Sequence, residues 1–234
     1  MEKKRSSVKE LRKEIAHLRE LITHDELTGT LNRRGFFESV SGFFNTALLY
    51  KRKEKGGKNK KKTRKKYLIK DLSIIFVDLD GVKKVNDIYG HAAGDLIIQT
   101  AARIIKNNIR ETDFVARWGG DEFVIATIGA DEADAYKIAE KIRVAGKKGK
   151  EFSSYEQVRV TFSNGVAELD KNINSPEELI ERADNAMYEA KNNRGRNCTV
   201  MFSKISLNNN KKNVLSSILK FIKKGVGQAD RSII

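Results

Sequence analysis

The chain is poor in the residues that staple or ligate: one cysteine and three histidines in 234 residues. A single thiol, Cys198, excludes an internal disulfide framework, and this set of residues does not make up a structural zinc site of the usual kind. A reducing, intracellular compartment fits that composition. No apolar run reaches about 18 residues, the length that crosses a bilayer. The N-terminal "MEKKRSSVKELRKE" also lacks the apolar core of a secretory signal. The expectation is a soluble, cytoplasmic protein, long enough for one domain of ordinary size plus tails or an insertion.

Acidic residues are nearly missing from two stretches. Of the formal net charge of +15, residues 51–66 ("KRKEKGGKNKKKTRKK") carry +10 and residues 204–234 carry +6, which leaves about −1 on the rest. The basicity belongs to two appendages, and the partner it points to is an anionic membrane surface, which makes a membrane-peripheral location the variant expectation. Specific nucleic-acid binding is disfavoured, because the 51–66 run has no interleaved aromatic residue. With two adjacent glycines and nothing apolar before Tyr67, that run reads as a mobile loop. In the tail, Val214, Leu215, Ile218 and Ile222 share one side, as in a frayed terminal helix or one lying on a membrane or a partner.

Apolar periodicity organises the remainder. Val8, Leu11, Ile15, Leu18 and Ile22 recur at intervals of three and four, so residues 1–22 read as an amphipathic helix, either a dimeric coiled-coil stalk or a helix packed on its own domain. A polar turn at 23–30 precedes a helix whose stripe is Phe36, Phe37, Val40, Phe43, Phe44, Ala47 and Leu48. "LSIIFVDLD" is a strand buried on both faces, and "HAAGDLIIQTAARIIKNNIRETD" a helix. "DFVARWGGDEFVIA" reads as an antiparallel hairpin turning on Gly119-Gly120 as a two-residue turn. A helix at "ADEADAYKIAEKIRVAG" and a strand within "YEQVRVTFSNGVAEL" follow. Ser175, Pro176 and Glu178 then form a capped helix start, and "CTVMFS" is a last strand. The fold class is α/β (α+β), a mixed central sheet flanked by helices.

Carboxylates stand at strand ends. Asp78 and Asp80 lie just past "SIIFV", where a strand emerges at the sheet rim, and Asp121 lies past the hairpin turn. If the hairpin neighbours that strand, Asp78 and Asp121 converge. Two such groups repel unless a cation lies between them, and hard oxygen ligands select magnesium or manganese. Such a pair is what two-metal phosphoryl transfer needs; two unrelated surface turns is the alternative.

The chain resembles a known family at this point. "RWGGDEF" is an intact signature of the GGDEF-domain diguanylate cyclases, and "DELTGTLNRR", "DLDGVKKVNDIYGHAAGD" and "ADNAMYEAKNNRGRN" match further family blocks in family order. The resemblance covers about residues 23–203 and includes the 51–66 loop as an insertion. It implies a fold similar to the polymerase palm and the class III nucleotidyl cyclases. It also implies a reaction: two GTP condense across a homodimer into cyclic di-GMP and two pyrophosphates. Asp78, Asp121 and the Leu79 carbonyl would hold two magnesium ions, with Asp121 the nominal proton acceptor. Asn86 and Asp95 would read guanine. Lys83, Lys191 and an arginine, Arg194 or Arg196, would meet the triphosphate, with backbone amides around Asp80, Gly81 and Val82 cradling phosphate oxygens.

"RETD" matches the family's inhibitory site, so Arg110 and Asp113 are expected to bind the product back; an ion pair between the two is the plainer reading. Val82 stands where the family usually has phenylalanine, and "KNNRGRN" carries one residue more than usual. A non-catalytic receptor for GTP or cyclic di-GMP is the alternative function. The input signal is absent, supplied by a partner, or lost with an upstream segment.

Overall fold

The computed structural model describes residues 2–54, 69–148, 152 and 157–205. Helices α1 (Glu2–Thr23) and α2 (Arg33–Glu54) precede strand β1 (Leu72–Asp80), helices α3 (Val82–Tyr89) and α4 (His91–Lys106), and strands β2 (Phe114–Arg117) and β3 (Glu122–Ile128). Helix α5 (Glu132–Lys148), strand β4 (Thr161–Glu168), helix α6 (Pro176–Asn192) and strand β5 (Thr199–Met201) complete it. The strands form one sheet in the order β2-β3-β1-β4-β5. All pairs are antiparallel except β4 with β5. This is the mixed sheet flanked by helices that the sequence predicts.

All nine residues of β1 are buried, because alternate side chains serve two cores. Ile75, Val77 and Leu79 pack with Ile97 and Ile105 of α4 and Ile142 of α5. Leu72, Ile74 and Phe76 pack with Phe36 and Val40 of α2 and Leu179 of α6. Each such side chain contributes about 1.5–3 kcal/mol, which offsets the cost of ending the strand in two carboxylates.

Helix α6 lies close against β4. A Cβ at Gly165 would stand 2.0 Å from the Ala183 carbonyl oxygen and 2.1 Å from the Met187 nitrogen, so only glycine admits the helix at this depth. Its start is capped as expected: Ser175 Oγ accepts from the Glu178 N–H at 3.3 Å, with Pro176 in the first turn. The reciprocal bond goes one residue further out, from the Asn174 N–H to Glu178 Oε2.

The apolar seam of α1 does not pack on its own domain. Leu11, Ile15 and Leu18 remain 54 %, 50 % and 53 % exposed. Among the described residues no helix is long and apolar enough to cross a membrane.

Three boundaries differ from expectation. Helix α2 continues through Glu54 into the basic stretch, because Lys51 is drawn in by Asp71 at 2.7 Å and Glu168 at 2.6 Å. Residues 55–66 and the seam at 214–222 lie outside the described residues. Helix α4 ends at Lys106 rather than running on to residue 113, since 110–113 form a turn bonded from the Asp113 N–H to the Arg110 carbonyl. After β5 the chain turns helical at 202–205, where Ser203 bonds Glu132. Glu132 in turn donates its N–H to Glu168 Oε2. Lys51 and Ser203, where the two basic stretches join the domain, thus meet around one pair of glutamates at the β1 start.

Candidate active site

Strand β1 runs through Asp80, so Asp78 lies inside the strand and not beyond it, opposite Glu122 on β3 and Ser163 on β4. It is only 2 % exposed. A charge is tolerated there because Lys191, in the last turn of α6, places Nζ 2.7 Å from Asp78 Oδ2. The other oxygen, Oδ1, is buried without a hydrogen-bond partner. Burial pushes the Asp78 carboxyl up to about 6; Lys191 pulls it down and the Asp121 and Asp80 charges add to the rise.

Asp80 is used differently. Its carboxylate accepts from Thr161 Oγ1 at 2.7 Å, from Ser163 Oγ at 2.9 and 3.0 Å, and from the Asn197 N–H at 3.3 Å. With its oxygens bonded in this way, the side chain ties β1, β4 and the segment after α6 together.

The hairpin turn is wider than two residues. Trp118 and Gly119 both direct their N–H groups to the Glu122 carbonyl, and the Asp121 carbonyl accepts from the Leu79 N–H at 3.1 Å. Neither Gly119 nor Gly120 has a positive φ. Pairing with β1 draws Asp121 into line, and this overrides the local preference of the glycine pair for a tight turn. The turn is also clamped from outside. Arg117 donates to the Gly120 carbonyl at 3.1 and 2.8 Å and to both oxygens of Asp25, while Arg33 donates to the Trp118 carbonyl and lies over its ring. Asp121 is thereby held half-buried beside Leu79, next to Asp78 in the strand.

A cleft of about 720 Å³ opens beside these carboxylates, lined by Asp121, Lys83, Lys191, Arg196 and the 79–82 segment. Gly81 has a φ of 93° and caps α3, which turns the chain from strand into helix within one residue. Val82 is buried in the core beneath it. Of the two arginines, Arg196 lines the cleft, whereas Arg194 turns to Glu189 at 3.8 Å.

Asn86 and Asp95 sit to one side, at the corner of α3 and α4. The Asn86 Oδ1 is buried without a partner and rests against Gly94, where a Cβ would meet it at 1.9 Å. Asp95, the next residue, is exposed. Neither lines the cleft itself.

The donor set suits a small hard cation. Asp78 Oδ1 is an unsatisfied carboxylate oxygen near a second carboxylate, and magnesium binds through one or two carboxylates while substrate phosphates complete its shell. No group of three or more ligating side chains gathers among the described residues, so a metal here depends on such non-side-chain oxygens.

A family model for "Diguanylate cyclase, GGDEF domain" matches residues 22–198. The chain belongs to the GGDEF-domain family. It is 35 % identical to the response regulator PleD of Caulobacter vibrioides over 192 residues, 81 % of this chain and 38 % of PleD. It is 36 % identical to the diguanylate cyclase DgcM of Escherichia coli over 174 residues, 74 % of this chain and 37 % of DgcM. It therefore spans less than two fifths of the length of these relatives. Among solved structures, the coiled coil and GGDEF domain of DgcB from Caulobacter crescentus in complex with c-di-GMP shares the fold, with a TM-score of 0.66 and 24 % identity over 85 % of this chain and 95 % of that one. The GGDEF domain of YfiN from Pseudomonas aeruginosa gives a TM-score of 0.57 at 28 % identity, over 74 % and 96 %.

The GGDEF domain's "RETD" turn places its two residues apart in role. Asp113 is buried, its oxygens accepting from the main-chain N–H groups of Arg110 at 3.0 Å and Ile128 at 3.1 Å, and the Arg110 side chain is exposed. The ion pair between the two side chains does not form.

Several residues of the GGDEF site escape sequence reading. Asp25 and Arg117 are 92 positions apart, and nothing local marks them as partners. Thr161 and Ser163 do leave a signal: two hydroxyls at a spacing of two on one strand share one face.

Proposed function

We propose that this chain condenses two GTP molecules into cyclic di-GMP and two pyrophosphates, with two copies of the domain facing each other. The observation that carries this reading is the buried Asp78, with one oxygen unpartnered, beside Asp121 in a cleft lined by Lys83, Lys191 and Arg196. The three cations match a triphosphate in sign and number, and the cleft is large enough for a nucleotide's phosphates.

Asp78, Asp121 and the Leu79 carbonyl would hold a pair of magnesium ions, or manganese. Bound there, the metal supplies acidification of the attacking 3'-hydroxyl and neutralises charge at phosphorus. The chain's own groups do the rest. Lys83, Lys191 and Arg196 bind phosphate oxygens, and the backbone from Asp80 to Val82 cradles them. Asn86 Oδ1 takes a guanine N–H and so gains the partner it lacks; Asp95 accepts from the same edge. The 3'-oxygen attacks the α-phosphorus, pyrophosphate leaves, and the proton passes to Asp121 or to solvent.

The half-exposed seam of α1 supports dimerisation through the N-terminal helix. The exposed Arg110 beside Asp113 supports return binding of the product, with the guanidinium stacked on a guanine.

Purified protein incubated with GTP and magnesium, and assayed for cyclic di-GMP by mass spectrometry, tests the reading. GTP bound without product at high protein concentration would replace it with a non-catalytic receptor.

A further inference from the structure

Residues 195, 196 and 197 have φ values of 79°, 66° and 49° in succession. Left-handed backbone is disfavoured wherever a Cβ is present and normally occurs at single positions, so a run that includes Arg196 and Asn197 persists only if its surroundings hold it. The Arg196 N–H donates to the Ala190 carbonyl at 3.1 Å. The Asn197 N–H donates to Asp80 Oδ2 at 3.3 Å and Ser163 Oγ at 3.1 Å. A third hold comes from α5: Arg143 Nη1 donates to the Asn197 carbonyl at 3.3 Å and to its Oδ1 at 3.2 Å.

Arg143 is itself fixed. Glu140 accepts from its Nε and Nη2 at 2.8 Å each, and the arginine side chain is 17 % exposed. It does not line the cleft, whereas Arg196, one residue before the one it grips, does. Arg196 has no firm anchor of its own: its side chain is 58 % exposed and its Nε stands 3.6 Å from Asp80 Oδ1.

We propose that Arg143 is a positioning residue, which holds the left-handed turn at 195–197 so that Arg196 faces the triphosphate of the nucleotide. This rests on the GTP-condensing reading above. A bidentate, carboxylate-braced guanidinium on a rigid helix suits the task, because a flexible contact would leave the turn free to relax.

The experiment compares Arg143→Met, Asn197→Gly and the double variant, each measured for GTP affinity by calorimetry, for KM and kcat of cyclic di-GMP formation, and for thermal unfolding. Arg143→Met is expected to weaken GTP binding and raise KM about tenfold, the loss of one well-placed charged contact, with kcat within about twofold. Glycine adopts positive φ without strain, so in the Asn197→Gly background the Arg143→Met penalty is expected to shrink to within about twofold. Unchanged GTP affinity in Arg143→Met, or an equal penalty in both backgrounds, would overturn the proposal. If Arg143→Met does not fold, Arg143→Lys, which keeps the charge beside Glu140 without the planar fork, is expected to show the same defect and is judged by the same outcomes. A parent protein that binds GTP but forms no product overturns the cyclase reading alone, and the affinity comparison then decides for Arg143. A parent that binds no GTP overturns both.

Discussion

Lys191 meets Asp78 at 2.7 Å through one carboxylate oxygen and leaves the other buried and unbonded. One lysine does not compensate for the burial, since the Asp78 carboxyl still rises to about 6. In the metal-free protein the site is therefore held at a cost to stability.

That cost has a pH signature. Asp78 titrates at about 6 when folded against 3.8 in its ordinary state, so the folded chain binds this proton more tightly. Its ionisation weakens the fold progressively from about pH 4 to pH 6 and fully above that. In EDTA, Asp78→Asn is expected to melt with the parent at pH 4 and above it by several degrees at pH 7.5, and in a separate assay with magnesium it is expected to form no cyclic di-GMP. Thermal melts across that range check this; a variant less stable than the parent at pH 7.5 would contradict it.

Asp121 presents its side chain to the cleft, while its structural hydrogen bond to Leu79 runs through the main chain. Asp121→Ala is expected to lower turnover by about a thousandfold or more, the scale for losing a catalytic metal ligand, with an unfolding midpoint within a few degrees of the parent. Normal activity in this variant would remove Asp121 from the metal site.

Gly165 sets the depth of α6. In Gly165→Ala the new methyl meets the Ala183 and Met187 backbone near 2 Å, and backbone cannot step aside as a side chain does. The expected loss is about 1–3 kcal/mol or more, read by urea denaturation. Activity should fall further than stability explains, because Lys191 rides on the displaced helix.

The α1 seam predicts self-association. Replacing Leu11 and Leu18, each about half exposed, with lysine is expected to leave the domain's melting unchanged and to shift sedimentation from dimer to monomer, with cyclic di-GMP formation falling in parallel. A dimer that survives both substitutions would place the contact elsewhere.

Where local pattern and tertiary demand agree, the sequence reads well. The unbroken apolar run of β1 and the Ser175-Pro176-Glu178 cap of α6 each fix an element without outside help, and the hairpin's place beside β1 brings Asp121 to Asp78. The pattern misleads where a distant partner decides. Gly119-Gly120 favours a tight turn, yet the Leu79 N–H recruits the Asp121 carbonyl and widens it. What the pattern does not show is how a carboxylate is borne at the buried end of that strand: Lys191, 113 residues away, donates to Asp78. Arg143 looks like any charge on an amphipathic helix, and only the backbone it grips distinguishes it.

The meeting of Lys51 and Ser203 at the Glu132–Glu168 pair has an architectural consequence. Eight strand steps of about 3.3 Å each separate the start of β1 from Asp80, so whatever is attached at that corner stands roughly 25 Å from the chemistry. Segments there are free to lengthen, change charge or accept a fused module without redesign of the carboxylate end, and a fluorophore or surface tether placed at this corner would report on the protein without reaching the cleft.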